Sequence, residues 1–325
     1  MSTLSAPIVS VIIPVFNGDK SIARAIESAR RQTLKNIEII VVDDASTDGT
    51  SEAAQSLAKQ DSRILYMRLP SNVGAGGARN VAIDAATGQW IAVLDADDWY
   101  EPERLDMLLK TAQEHQVDAI CDNLKIFDHC TTSIVDRTRH GAPNQITTLT
   151  AEHFFAHDNP LRFHAMGYLK PMVRRDFLQQ HNLRYDPSHR AGQDFIFLAE
   201  ILLNGGKTLI VPDAGYIYVH RISPTTRKIS PSSRSNPNFE LIVRGCDELL
   251  ARYGQNMAFA ARHALKQRRH IFESRIGCDA MISALHEGAI SKALSILTQS
   301  PLIPALVAMN VLKTVRANIF TRRAA

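Results

Sequence analysis

The chain has 325 residues, 45% hydrophobic and 22% charged, with a formal net charge of +4. These proportions exclude wholesale disorder, a collagen-like fibre and a disulfide scaffold. At roughly 100–200 residues per domain the length predicts about two units.

Four scattered cysteines, Cys121, Cys130, Cys246 and Cys278, form no C-x-x-C pair, so a reducing cytoplasmic setting is expected. No basic region followed by an apolar stretch opens the chain, and no secretory signal is predicted. The longest apolar run, residues 302–312, is interrupted by Pro304 and Asn310 and falls short of the ~18 residues a membrane span needs.

Residues 8–15 form a β-branched apolar run without alternation, the pattern of a strand buried on both faces. Ile22, Ala25, Ile26 and Ala29 then recur at helical spacing behind Asp19 and Ser21, which are candidate caps, and residues 37–42 repeat the strand pattern. The alternation continues with a helix over 50–59, a strand over 64–67, a helix over 78–86 and a strand over 90–94. A helix follows from Pro102, with Leu105, Leu108 and Leu109 on one face, and then a strand over 117–121. This order predicts an α/β domain around a mainly parallel sheet.

From about residue 122 the pattern becomes mixed α+β. Residues 223–237 are rich in Ser, Pro and Arg and read as a linker, and residues 238–325 read as helical. The expected division is a first domain over 1–228, itself split near 122, and a helical C-terminal extension over 229–325.

In open α/β sheets ligands sit outside the carboxyl ends of the strands. Two acidic clusters fall there: Asp43-Asp44 after the second strand, and Asp95-Ala96-Asp97-Asp98 after the strand over 90–94. Both are expected to face one cleft. Carboxylates this close repel unless a cation or donors intervene, and hard oxygen ligands suit Mg²⁺ or Mn²⁺ bridging to a diphosphate. The alternative is a solvated capping cluster ahead of Pro102.

Within Asp43–Thr50, one of Ser46, Thr47 or Asp48 is a natural N-cap, which leaves Asp44 for a ligand base. The glycine-rich stretch 73–80 lacks the dinucleotide fingerprint, because Arg79 stands where its third glycine belongs. Arginine at the opening of a helix suits a phosphate or an acidic partner; a plain glycine turn is the alternative.

These motifs in this order resemble glycosyltransferase family 2 on the GT-A fold, closely over about residues 8–110 and more weakly to about 227. The resemblance implies that Pro14, Phe16, Asn17, Asp43, Asp44, Gly74, Arg79, Asp95 and Ala96 line a nucleotide-sugar site. It implies that Asp95 and Asp97 form the D-x-D pair, with Asp97 the direct metal ligand and Asp98 supporting. It further implies that Asp194 is the general base, His220 completes the metal shell and Arg221 pairs with phosphate. Where the family usually has Glu-Asp, this chain has Gln193-Asp194. Asp194 could also cap the helix that carries Phe197, Ile201 and Leu202.

The implied reaction is an inverting transfer of a hexose from a UDP-sugar, such as UDP-glucose, to a glycan or lipid-linked acceptor. Bacterial exopolysaccharide transferases of the succinoglycan type are the nearest in appearance, and no Q-x-x-R-W motif of processive synthases is present. A non-catalytic sugar-nucleotide binder of the same fold is the alternative. His164, Tyr168 and Lys170 are pocket candidates only by their place in the chain. From residue 251 onward eleven basic residues stand against three acidic ones. That excess fits an anionic inner-membrane surface, with a solvated face or a homodimer contact as alternatives. No nucleic-acid partner is expected, since interleaved aromatics are lacking.

Overall fold

The computed structural model describes residues 6–158, 165–220, 238–298 and 302–304. A ten-stranded mixed sheet forms the frame. Its first part alternates β1 (Val9–Val15), α1 (Ile22–Arg30), β2 (Ile37–Asp43), α2 (Thr50–Ala58), β3 (Ile64–Arg68), α3 (Gly74–Ala85) and β4 (Trp90–Val93). Then come β5 (Trp99–Tyr100), α4 (Arg104–His115), β6 (Ala119–Asp128), β7 (Ser133–Arg137), β8 (Thr147–Leu149) and α5 (Ala151–His157). A short 3₁₀ turn (Met166–Tyr168), β9 (Met172–Arg174), α6 (Arg175–Gln180), α7 (Gln193–Leu203) and β10 (Thr208–Val219) complete this part. The helices α8 (Phe239–Tyr253), α9 (Phe259–His286) and α10 (Ile290–Leu297) follow.

The sheet runs β3-β2-β1-β4-β9-β6-β10-β5, with β7 on β6 and β8 on β10. Neighbours are parallel among β3, β2, β1 and β4 and between β6 and β10, whereas β9 is antiparallel to both β4 and β6. The first strands lack polar alternation because both faces are covered. Val9, Val11, Ile13 and Val15 pack with α1, α2 and α4, while Ile12 packs with α3, α6 and α7. Pro14 costs β1 no ladder bond. It shares the parity of Ile12, whose carbonyl meets Leu94 N at 3.0 Å, and β4 has ended by its level.

Three expected boundaries move, the strand over 117–121 running instead from Ala119 to Asp128. The helix after Pro102 starts at Arg104, with Arg104 N on Glu101 O at 3.2 Å closing a turn first. The helix expected from residue 78 starts at Gly74, so the glycines are its first turn; Gly74 takes the left-handed φ of 82°.

Arg104 and Asp122 form a fully buried pair at 2.7 Å beneath β10, where Gly215 N donates to Asp122 Oδ2 at 2.9 Å. A Cβ at Gly215 would come within 2.8 Å of Arg104 Cγ, so the close approach requires glycine. The helices α5, α7, α8 and the first half of α9 share one core, which includes Phe154, Phe195, Leu198, Cys246, Leu249 and Leu265. The expected division near 228 lies outside the described residues. No described helix is long and apolar enough to cross a membrane.

Candidate active site

The carboxyl ends of β1 and β4 and the first turns of α3 and α7 surround a cleft of about 340 Å³. Pro14, Phe16 and Asn17 line one wall, Asp95, Ala96 and Asp97 the floor, and Gln193 and Asp194 the other wall. Phe16 is 43% exposed, which leaves its ring face open to a flat ligand. Asn17 ties the β1 and β2 loops together, as its Oδ1 accepts from Thr47 N at 2.7 Å and its N–H donates to Ser46 Oγ at 2.8 Å.

The expectation that both acidic clusters face the cleft holds for one only. Asp43 is fully buried and accepts from Ser46 N at 2.8 Å, Ser51 Oγ at 2.5 Å and Tyr66 Oη at 2.8 Å. Burial opposes its charge, yet these donors hold the carboxyl below its usual range. Asp44, 2% exposed, accepts from Val73 N at 2.7 Å and Gly74 N at 2.9 Å. Both its oxygens thus serve the amino end of α3, where unpaired N–H groups attract an anion. The expected N-cap of α2 falls to Gly49, while Asp48 Oδ1 accepts from Thr50 N at 3.1 Å.

The floor is organised by two buried cations. Arg79 Nη2 meets Asp95 Oδ1 at 2.5 Å, and its Nη1 lies 3.4 Å from Asp194 Oδ1 and 3.2 Å from Gln193 Oε1. Lys170 Nζ meets Asp95 Oδ2 at 2.8 Å and also contacts Asp194 Oδ2. Burial disfavours both cations, but Asp194 and Asp95 override it and hold each above its ordinary pKa. Burial likewise opposes the Asp95 charge, and Lys170 and Arg79 hold that carboxyl well below its usual range. Asp98 behaves in the opposite way: burial, then the charges of Asp97 and Asp95, push it well above. Its oxygens accept from Tyr216 Oη and Val219 N, each at 2.7 Å.

Asp194 sits in the first turn of α7 behind Gly192, which takes a left-handed φ of 72°, and it makes no side-chain cap. Its Oδ2 is held by Lys170, whereas Oδ1 makes no hydrogen bond and faces the Arg79 guanidinium at 3.4 Å. A carboxylate held at a cleft wall with 18% of its side chain exposed is placed to accept a proton. Arg190 also lines the cleft and is exposed.

His220 follows β10 with its ring edge-on to Tyr218 and is not among the cleft-lining residues. Arg221 and His164 lie outside the described residues. Tyr168 is 42% exposed and packs on Tyr218. Lys170 had only its place in the chain to recommend it, yet it joins the two central carboxylates.

Among the described residues, two clusters could hold an ion through three protein ligands, and neither includes Asp95 or Asp97. The floor instead fits a hard cation that keeps most of its positions for phosphate and water, with one or two carboxylates from the protein. Asp97 lines the same floor, where both Asp95 oxygens are engaged by Arg79 and Lys170.

The sequence model of the family described as Glycosyl transferase family 2 matches residues 10–202. Succinoglycan biosynthesis protein ExoO of Rhizobium meliloti (strain 1021) is 37% identical over 65% of this chain and 60% of its own length. Succinoglycan biosynthesis protein ExoU of the same strain is 34% identical over 67% of this chain and 64% of its own. The chain therefore spans under two thirds of the length of these relatives. Among solved structures, S. aureus TarS 1–349 in complex with UDP-GlcNAc superposes with a TM-score of 0.67 at 21% identity, over 89% of this chain and 79% of that one. Mannosyltransferase PcManGT from Pyrobaculum calidifontis, in complex with GDP-Man and Mn²⁺, gives 0.52 at 17% identity, over 94% and 84%. The fold is of the GT-A type.

Proposed function

Since the chain belongs to glycosyltransferase family 2, we propose that it is an inverting, single-addition hexosyltransferase that takes its sugar from a UDP-sugar. The acceptor is a glycan or lipid-linked sugar in cell-surface polysaccharide assembly. The observation that carries this reading is the placement of Asp194: it lines the cleft, Lys170 clamps one oxygen, and Arg79 lies 3.4 Å from the other, which makes no hydrogen bond. The succinoglycan proteins support the polysaccharide class, and the neighbour crystallised with UDP-GlcNAc supports the donor class.

Phe16 offers a ring to the base, and Pro14 and Asn17 border the same pocket. The Asp194 carboxylate takes the proton of the acceptor hydroxyl, whose oxygen displaces the nucleoside diphosphate at the anomeric carbon with inversion. Arg79 and Lys170 keep the Asp194 carboxylate oriented while it does so. A divalent cation, Mg²⁺ or Mn²⁺, supplies charge neutralisation at the departing diphosphate when bound, with Asp97 as its protein ligand.

Contact with an anionic membrane surface fits the C-terminal helices, where Leu285, Ile290 and Leu294 are each at least half exposed near the exposed Lys292. Part of the basic excess is used internally, as Arg252, Arg268, Arg269 and Arg275 pair with Glu200, Asp158, Asp247 and Asp279.

Sugar transfer by Asp194→Asn tests the base assignment. Transfer falls roughly 10²–10⁴-fold while UDP binding and the thermal transition persist. Near wild-type turnover would refute the assignment.

A further inference from the structure

We propose that Gln193 is a positioning residue that fastens the base-bearing end of α7 both to the cleft floor and to helix α8, making α8 part of the catalytic apparatus. The proposal rests on Asp194 as base.

Gln193 immediately precedes Asp194, and its amide performs two opposite tasks. Nε2 donates to the carbonyl oxygen of His189, and Oε1 accepts from Arg79 Nη1 at 3.2 Å. Only a side chain with a donor and an acceptor on one end does both; a carboxylate has acceptors alone. Glutamate here would set an oxygen against the His189 carbonyl and add a negative charge beside Asp194. The neighbouring helix makes room for the amide: a Cβ at Gly76 would come within 2.7 Å of Gln193 Nε2.

The other end of the joint is anchored on α8. His189 is 1% exposed, and its Nε2 lies 2.6 Å from Glu248 Oε2. Glu248 Oε1 meets Arg244 Nε at 3.3 Å, and Arg244 Nη2 donates to Ser188 Oγ at 2.7 Å. Gly245 lets α8 close on this loop, since a Cβ there would lie 2.7 Å from Ile196 Cδ1 and 3.4 Å from His189 Cε1. One continuous path therefore runs from Glu248 through His189 and Gln193 to Arg79 and Asp95. Among these, Arg79, Gln193 and Asp95 border the cleft beside Asp194, whereas Glu248 and His189 act only through them.

The test is a double-mutant cycle on the full chain with Gln193→Ala and Glu248→Gln, reading kcat, donor KM and amide hydrogen exchange over residues 186–194. Each single variant lowers kcat, about tenfold or more for Gln193→Ala, since small misplacement of a reacting group is costly. Donor KM stays within about twofold, and the double variant is no worse than Gln193→Ala alone, as for residues in one network. Exchange over 186–194 rises in both single variants. Gln193→Glu also lowers kcat. Wild-type kcat in Gln193→Glu, effects that multiply in the double variant, or unchanged exchange over 186–194 would overturn the proposal. Asp194→Asn in the same assay separates the two ideas. Turnover there removes the base reading, whereas an inactive Asp194→Asn beside fully active Gln193 variants removes only the positioning role.

Discussion

Replacing Lys170 by methionine removes the cation that separates Asp95 from Asp194 and keeps most of the side-chain volume. Lys170 is 2% exposed and touches both carboxylates, so their facing oxygens are left close together. As both oxygens contact Lys170 Nζ they lie no more than about 5 Å apart, where two unit charges at an effective dielectric of about 20 repel by roughly 3 kcal/mol. Removing one partner of a buried ion pair costs about 3–5 kcal/mol. The two aspartates retain 23% and 18% side-chain exposure, so solvent screening favours the lower end, about 3 kcal/mol. At roughly 2–4 °C per kcal/mol the expected fall in Tm is about 6–12 °C. Calorimetry near neutral pH measures it, and adding Asp95→Asn to the variant should recover much of the loss. A Tm within about 1 °C of wild type, well under the shift expected for 1 kcal/mol, would show that Lys170 does not hold these charges together.

Asp61 gives a prediction far from the cleft. Hydrogen bonds from Arg63, against the opposing effect of burial and with help from Arg30, hold its carboxyl well below the usual range. A folded pKa below the unfolded one contributes stability above about pH 3.9 that is lost as the pH falls toward the folded value. The Tm gap between wild type and Asp61→Asn should therefore be widest near neutral pH and narrow below about pH 4; a gap that does not change with pH refutes the pairing. For the membrane reading, flotation with vesicles rich in anionic lipid should retain wild type and lose Ile290→Glu/Leu294→Glu. Equal flotation of both, or none by wild type, contradicts it.

The first half of the fold is legible because its strands are sealed on both faces and their ends carry the chemistry. Residues 8–15 and 37–42 read as strands without alternation, and both are buried throughout or nearly so. The start of α3 was misplaced because glycine is a poor helix former and a good turn residue, so local preference hides the packing that selects the helix. The direction of Asp43 and Asp44 was also illegible. Adjacent carboxylates at a strand end look alike, and only the fold reveals that Ser46, Ser51 and Tyr66 claim one and α3 the other. Lys170 stands 75 residues from Asp95 and 24 from Asp194, distances at which periodicity says nothing. The Gln193 departure from the family pattern was visible in the sequence, but its two-sided hydrogen bonding emerged only when His189 and Arg79 were seen to converge on it.

The central claim is that the cleft over Asp95 and Asp97 receives a nucleoside diphosphate together with a divalent cation. Titration calorimetry of UDP into the full chain, in Mn²⁺ and then in EDTA, tests it most directly. The account predicts saturable one-site binding in Mn²⁺ that weakens at least about tenfold, or 1.4 kcal/mol, in EDTA, and the same weakening in Asp97→Ala with Mn²⁺ present. Equal affinity in Mn²⁺ and EDTA, or unaltered Mn²⁺-dependent binding by Asp97→Ala, would contradict it.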